Sequence, residues 1–329
     1  MRSRMYVVLA AMAAAPATLS AQSNGCPANT TQDACQKAVD LFHYMAPQIG
    51  TVIAGGNATL GQGGTLGGLA MLPFPHPKFS IGIRMNALQG SLPDLQQVSP
   101  AIGGRQSSTI PVNDQVIPGP AADLAIGLFK GLPLGLTNFG GVDLLLSALY
   151  LPEFDKSNVS LEFPDGGLKI GYGARIGLLQ ESIVIPGVSF TWLKRDLPKA
   201  NIMGTTQNAV GSADLAVKNL DVSTTAWRVV ASKSLVFFGL ALGAGQDKYS
   251  SSADVVGTAG ALASGAVRVE QNLKRTNYFA DLSMNIMLLK IVGEVGMVQG
   301  GVVETFNTWD GKGPADKRMY GSVGARFSF

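Results

Sequence analysis

Arg318-Met319-Tyr320-Gly321-Ser322-Val323-Gly324-Ala325-Arg326-Phe327-Ser328-Phe329 ends the chain with a residue-by-residue alternation of character. Side chains of an extended strand point to opposite faces in turn. Met319, Val323, Ala325, Phe327 and Phe329 therefore share one face, and Arg318, Tyr320, Ser322, Arg326 and Ser328 the other. Such a strand suits the wall of a barrel set in lipid, apolar outward and polar toward the lumen.

Three other stretches alternate as cleanly. Lys78 to Leu88 sets Phe79, Ile81, Ile83, Met85 and Ala87 against Ser80, Gly82, Arg84 and Asn86. Gly167 to Leu178 sets Leu168, Ile170, Tyr172, Ala174, Ile176 and Leu178 against Lys169, Gly171, Gly173, Arg175 and Gly177. Thr276 to Leu288 does the same, with Asp281 on the polar face. Weaker candidates are Thr65 to Leu72, Ala122 to Lys130, Val142 to Tyr150, Val188 to Arg195, Val222 to Ala231, Leu235 to Gly245, Val267 to Leu273 and Ile291 to Gly301. The expectation is an all-β, antiparallel transmembrane β-barrel of about 12 strands, within a range of about 10–14, since single-chain barrels take even numbers. Pro186-Gly187, Ser232-Lys233-Ser234 and Leu289-Lys290 read as short turns on the periplasmic side. Gln89 to Pro120, Arg195 to Ala213, Tyr249 to Gly265 and Thr305 to Asp316 read as long outer loops.

The other end of the chain agrees. Met1-Arg2-Ser3-Arg4 is basic, Met5 to Pro16 is a short apolar run, and Leu19-Ser20-Ala21 offers small residues for cleavage before Gln22. Residues 1–21 are expected to be a signal peptide, its apolar run too short to span a bilayer as a helix. A chain with an export signal and a carboxy-terminal Phe resembles bacterial outer-membrane β-barrel proteins. In that class the last strand also serves as the signal to the barrel assembly machinery, which implies this role for Phe327 and Phe329, and membrane lipids as a partner. Composition fits: 46% of residues are hydrophobic and 14% charged, with 41 Gly and 17 Pro. No mature segment is apolar for about 18 residues, so the apolar residues must be spread over short strands. A formal charge of +3 with scattered basic residues gives nucleic-acid binding no support.

Residues 22–64 precede the expected barrel, 65–329. Cys26 and Cys35 are expected to form a disulfide in an oxidising compartment. With two His in the chain, His43 and His76, no metal set is expected. From Thr31 the pattern turns helical: Ala34, Ala38, Leu41, Phe42 and Met45 form a stripe, and Pro47 is expected to end the helix. Such a helix could plug the lumen, lie on the periplasmic rim or pack on the mouth. The run Gly55-Gly56-Asn57-Ala58-Thr59-Leu60-Gly61-Gln62-Gly63-Gly64-Thr65-Leu66-Gly67-Gly68 reads as a flexible linker, able also to thread a lumen. It lacks the Lys-Ser/Thr of a phosphate loop, so no nucleotide cofactor is expected. A helix, a Gly56-Asn57-Ala58 segment and then a first strand is loosely similar to the hatch region of long-chain fatty-acid outer-membrane transporters, whose Asn-Pro-Ala motif lacks its Pro here. The resemblance implies transport of a hydrophobic small molecule.

The strand phases point Arg84, Lys169, Arg175, Arg228, Asp281, Glu294 and Arg326 into the lumen. They could form ion-paired ladders filling the barrel or line a conduit. A barrel of this size is too narrow for an open porin pore. His43 and His76 share no strand phase with Ser and an acid, and Gly321-Ser322-Val323-Gly324 lacks the nucleophile-elbow spacing, so no enzyme is expected. The function expected is passive transport of small or hydrophobic compounds through an outer-membrane barrel. The alternative is a structural, adhesive or assembly barrel without a pore.

Overall fold

The computed structural model describes residues 25–70, 76–156, 159–208 and 211–329. The expected signal peptide and residues 22–24 and 71–75 lie outside them. Ten strands close a ring: β1 Phe79–Pro93, β2 Val112–Phe129, β3 Gly141–Tyr150, β4 Leu168–Leu179, β5 Gly187–Asp196, β6 Gly211–Ser234, β7 Phe238–Ala259, β8 Val267–Ile286, β9 Leu289–Gln299 and β10 Arg318–Ser328. Each pairs antiparallel with its sequence neighbours. The ring shuts where β10 meets β1, from Tyr320 opposite Leu88 to Ser328 opposite Ser80. Backbone bonds between Phe79 and Phe329 and stacking of their rings at 5.1 Å finish the seam.

The sheet holds fourteen strands in all. Beyond the ring, Phe154–Lys156, Val159–Glu162 and Ala200–Asn208 continue the wall from β6, and Leu262–Ala263 folds back on β7. Ten ring strands rather than about twelve follow from two features. Val267 to Leu273 and the stretch from Thr276 to Ile286 are one continuous strand, β8, and of the expected strand Thr65 to Leu72 the described residues, Thr65 to Ala70, run inside the ring to a two-residue pairing, Leu69–Ala70 with His76–Pro77, instead of entering the wall. One end of the barrel carries short turns together with the start of β1 and the end of β10, and is called here the turn end. The other, the loop end, carries residues 94–111, 151–156, 159–167, 197–208 and 300–317.

Helix α1, Gln32–Ala54, stands inside the barrel. Pro47 does not end it: the turn preceding Pro47 loses one backbone bond, but the helix runs seven residues further, with Thr51 Oγ1 bonding back to the Pro47 carbonyl at 2.8 Å. Every residue from Asp33 to Ala54 is buried except His43, so the apolar stripe read from the sequence is only the part facing the most apolar wall. Leu88, Leu92, Leu151, Leu161, Leu215, Val217, Leu220, Val222, Val255 and Val269 face Ala38, Leu41, Phe42, Met45 and Ile49 in one cluster at the loop end. Two loops close over the helix. Asp33 accepts from the Ala101 and Gln106 amides, Asp40 from Phe306 N and from Asn307 N and Nδ2, and Tyr44 stacks on Trp309 at 4.0 Å. The Cys26–Cys35 disulfide is formed and ties the chain before the helix to its first turn.

Candidate functional site

Below the helix the lumen changes character. The last carbonyls of α1 have no helical partners, and no residue of the helix's last turn is basic. The barrel wall supplies the cations. Arg195 Nη1 reaches the carbonyls of Ile53, Ala54 and Gly55 at 3.3–3.5 Å, Arg228 Nη2 that of Ala54 at 3.2 Å, and Arg84 Nη1 that of Gly55 at 3.2 Å. Three guanidinium groups thus meet the negative end of the helix dipole, where each can contribute up to about 2 kcal/mol in a partly buried setting.

The Gly-rich run continues from there as a strap held by hydrogen bonds rather than as a loose linker. Asn57 is its hub: its amide donates to Glu294 Oε2 at 2.8 Å and its Nδ2 to Asp281 Oδ2 at 2.9 Å, while its Oδ1 accepts from Thr59 N and Oγ1. Gly61 N bonds Asp281, Gly63 N bonds Ser232, and Leu66 N bonds both oxygens of Asp143. Arg326 reaches the Thr59 carbonyl at 2.6 Å and Lys290 the Gly61 carbonyl at 3.2 Å. Glycine is required at Gly63, where a Cβ would fall 2.6 Å from the Ser232 amide nitrogen. The glycines let the backbone lie against the wall; they do not make it mobile.

Six of the seven expected lumen residues, Arg84, Arg175, Arg228, Asp281, Glu294 and Arg326, are buried inside. Lys169 is the exception. It has the inward phase of β4, but it lies near the loop end of that strand and is exposed to solvent at the mouth. The wall adds Asp123, Asp143, Arg195, Asp247, Arg275 and Arg318. Arg84 and Arg195 share Asp123 at 2.8 and 3.3 Å, Arg175 grips Asp143 at 2.5 Å, and Arg228 pairs with Asp247. Asp123, Asp143 and Arg195 were legible, since each sits on the polar phase of an alternating stretch; Asp247 falls just beyond the stretch ending at Gly245. Seven buried arginines face five buried strand carboxylates, and the surplus positive charge is met by strap and helix carbonyls. The cavity remaining beside Ala58, Thr59, Ser80 and Arg326 is about 10 Å³, room for about one water.

At the level of α1, burial lowers the His43 imidazole to about 4, so it stays neutral beside Gln271 at 3.2 Å. Burial raises the Asp40 carboxyl against the Asn307 and Phe306 hydrogen bonds, which oppose it.

The wall has one breach among the described residues. β3 pairs with β2 only from Ala121 to Phe129, so Val112–Pro120 has a partner on the β1 side alone. Across the gap Phe154–Lys156 pairs only with Val159–Glu162. Pro118 and Pro120 carry no N–H, which blunts the open edge. In the gap lies a cavity of about 200 Å³ lined by Leu92, Val116, Ile117, Leu151, Phe154 and Leu161, with Gln115, Pro118 and Pro152 at its margin. Its floor belongs to the cluster that surrounds α1. At Gly119, beside it, helix and wall touch closely: a Cβ there would stand 2.5 Å from Val52 Cγ1.

No protein-family profile and no curated protein sequence matches the chain. Among solved structures it is similar to the toluene transporter TodX of Pseudomonas putida, at 13% identity over 84% of this chain and 96% of that one, with a TM-score of 0.32. It is similar also to the monoaromatic hydrocarbon channel CymD, at 12% identity over 77% and 88% with a TM-score of 0.25. A third is the beta domain of the Bordetella autotransporter BrkA, at 10% identity over 76% and 99% with a TM-score of 0.29.

Proposed function

We propose that this chain is an outer-membrane barrel that passes small apolar molecules, with its loop end outside the cell and its turn end on the periplasmic side of the membrane. The observation that carries the reading is the apolar cavity in the wall breach. At about 200 Å³ it exceeds the engineered apolar cavities of about 150 Å³ that hold benzene. Its continuity with the packing around α1 gives an apolar molecule an inward path once the Val52 turn moves away from Gly119. Ions and sugars are excluded at the entrance, whose lining is apolar, and the lumen below is filled by paired arginines and the strap, which must give way before a molecule that enters by the cavity goes further. The proposal therefore includes negligible ionic conductance in planar bilayers; a steady open channel would reject it. The barrel's C-terminal Phe329, half exposed on the outer face, serves in this reading as the assembly signal. Deleting it lowers the amount of barrel in the membrane, and unchanged amounts would count against that role.

The test of the transport path is a reversible lock. A Val52→Cys, Gly119→Cys pair, oxidised, should stop uptake of a fluorescent apolar probe such as N-phenyl-1-naphthylamine by cells with an otherwise intact outer membrane. Reduction should restore it, with the parent protein treated alike to account for Cys26–Cys35. Leu161→Trp, which fills the cavity, should weaken probe binding to the purified barrel. Full uptake by the locked protein would reject the path.

A further inference from the structure

The turns at the turn end are apolar to their tips. Ile183 is 96% exposed, Val236 83% and Met287 99%, with Leu136 and Phe237 beside them in the same crown. Water-facing barrel turns are normally polar. Met287 also has φ of +54°, a left-handed conformation that a two-residue hairpin turn ordinarily gives to Asn or Gly. A methionine there accepts backbone strain and shows its whole side chain to whatever surrounds it.

Strand length supplies an independent observation. Outward Tyr and Trp side chains settle at the headgroup level, and here Tyr172, Trp192, Trp227 and Tyr278 mark that level on the loop side. A tilted strand needs about 9–11 residues to cross the hydrocarbon. From the marker to the strand's end β5 offers six residues, Gly187 to Trp192; β4 and β6 offer eight each, Tyr172 to Leu179 and Trp227 to Ser234; β8 offers nine, Tyr278 to Ile286. On most of these strands the remaining depth falls to the turns.

We infer that the crown of turns is immersed in the inner leaflet of the membrane, with phospholipid as its partner, instead of emerging into water. The inference rests on the membrane setting proposed above, and the test separates the two. Single cysteines placed by Ile183→Cys, Val236→Cys and Met287→Cys would carry an environment-sensitive fluorophore, the native pair being oxidised and unreactive. Ile83→Cys on the outward belt and Ala261→Cys at the loop end serve as references, in purified barrel reconstituted into phosphatidylethanolamine–phosphatidylglycerol vesicles. The expected result is blue-shifted emission at all three tips, quenched by spin labels on lipid acyl chains and insensitive to iodide, matching Ile83→Cys. Water-like emission and iodide quenching at the tips, with Ile83→Cys still in lipid, would overturn the inference and leave the crown as a face for a periplasmic protein. Water-like emission at Ile83→Cys itself would overturn the membrane setting.

Discussion

The two halves of the barrel are built to opposite rules. At the loop end β7 points Tyr249, Ala253 and Val255 inward and Lys248, Ser250 and Asp254 outward, as a water-soluble protein would. At the turn end the same strand points Leu240 and Leu242 outward, while its neighbour β8 points Asp281 and Ser283 inward. The apolar face changes sides along an unbroken strand. The N-terminal segment follows the change: the loop-end half encloses helix α1 through apolar packing, and the turn-end half holds the strap through ion pairs and hydrogen bonds. Inside an identical wall, what the surroundings are made of decides which residues become the core.

Removing residues 25–64 should divide the halves most sharply. The loop end would lose its core and its loops 94–111 and 300–317 would become open to protease. The turn end, whose outer face is held by lipid, should stay a folded, heat-modifiable barrel with raised conductance. Unchanged conductance in an inserted deletion would mean the strap does not close the lumen. Arg175→Ala comes next, at about 3–5 kcal/mol, because Asp143 is left buried without its charge partner. Urea titration of the folded band would read it, and pairing Arg175→Met with Asp143→Leu should recover much of the loss. In the loop-end half Phe42→Ala should cost about 3–4 kcal/mol as a cavity, with no dependence on salt. The outward face gives the most direct contrast. Ile83→Arg, near the middle of the apolar belt, should cost about 2–4 kcal/mol, whereas Ser250→Arg beyond the girdle should stay within about 0.5 kcal/mol. Equal costs would erase the distinction between the halves. Among the destabilising changes Gly61→Ala is the mildest: its φ of +67° and Cβ neighbours at 3.2 Å in Ser283 and Val292 predict a loss of about 1 kcal/mol, confined to the strap.

The inversion also explains what the sequence made legible. Arg318 to Phe329, Lys78 to Leu88 and Gly167 to Leu178 lie mostly in the turn-end half, where one outward apolar phase runs the length of the stretch, and they read correctly. β8 reads as two strands because its apolar phase passes from Val269 and Leu273, inward, to Tyr278 and Leu282, outward. Tyr249 to Ala259 reads as a loop for the same reason. Periodicity finds a strand only while a single environment faces each side. The helix misled in a related way, since a buried Lys37 or Asp40 reads as solvent-facing until its partners Asp33 and Asn307 are known. The strap's glycines signal freedom in sequence and close contact in the structure. Nothing in a linear pattern announces the breach, which exists because β3 stops at Tyr150 while β2, over Val112–Pro120, is paired with β1 alone.

Helix α1 begins among the loops of the loop end and the strap leaves at the opposite end, so the polypeptide passes through a hoop made of itself. A hoop and its thread can be put together in only two ways. Either the seam between β1 and β10 is sewn last, around a thread already lying in place, or a finished hoop is threaded afterwards by an end that must travel its full height. The bond between Cys26 and Cys35 acts as a knot near that travelling end. A protein oxidised before it reaches the membrane carries the knot from the start, and sewing around it is then the simpler order of work.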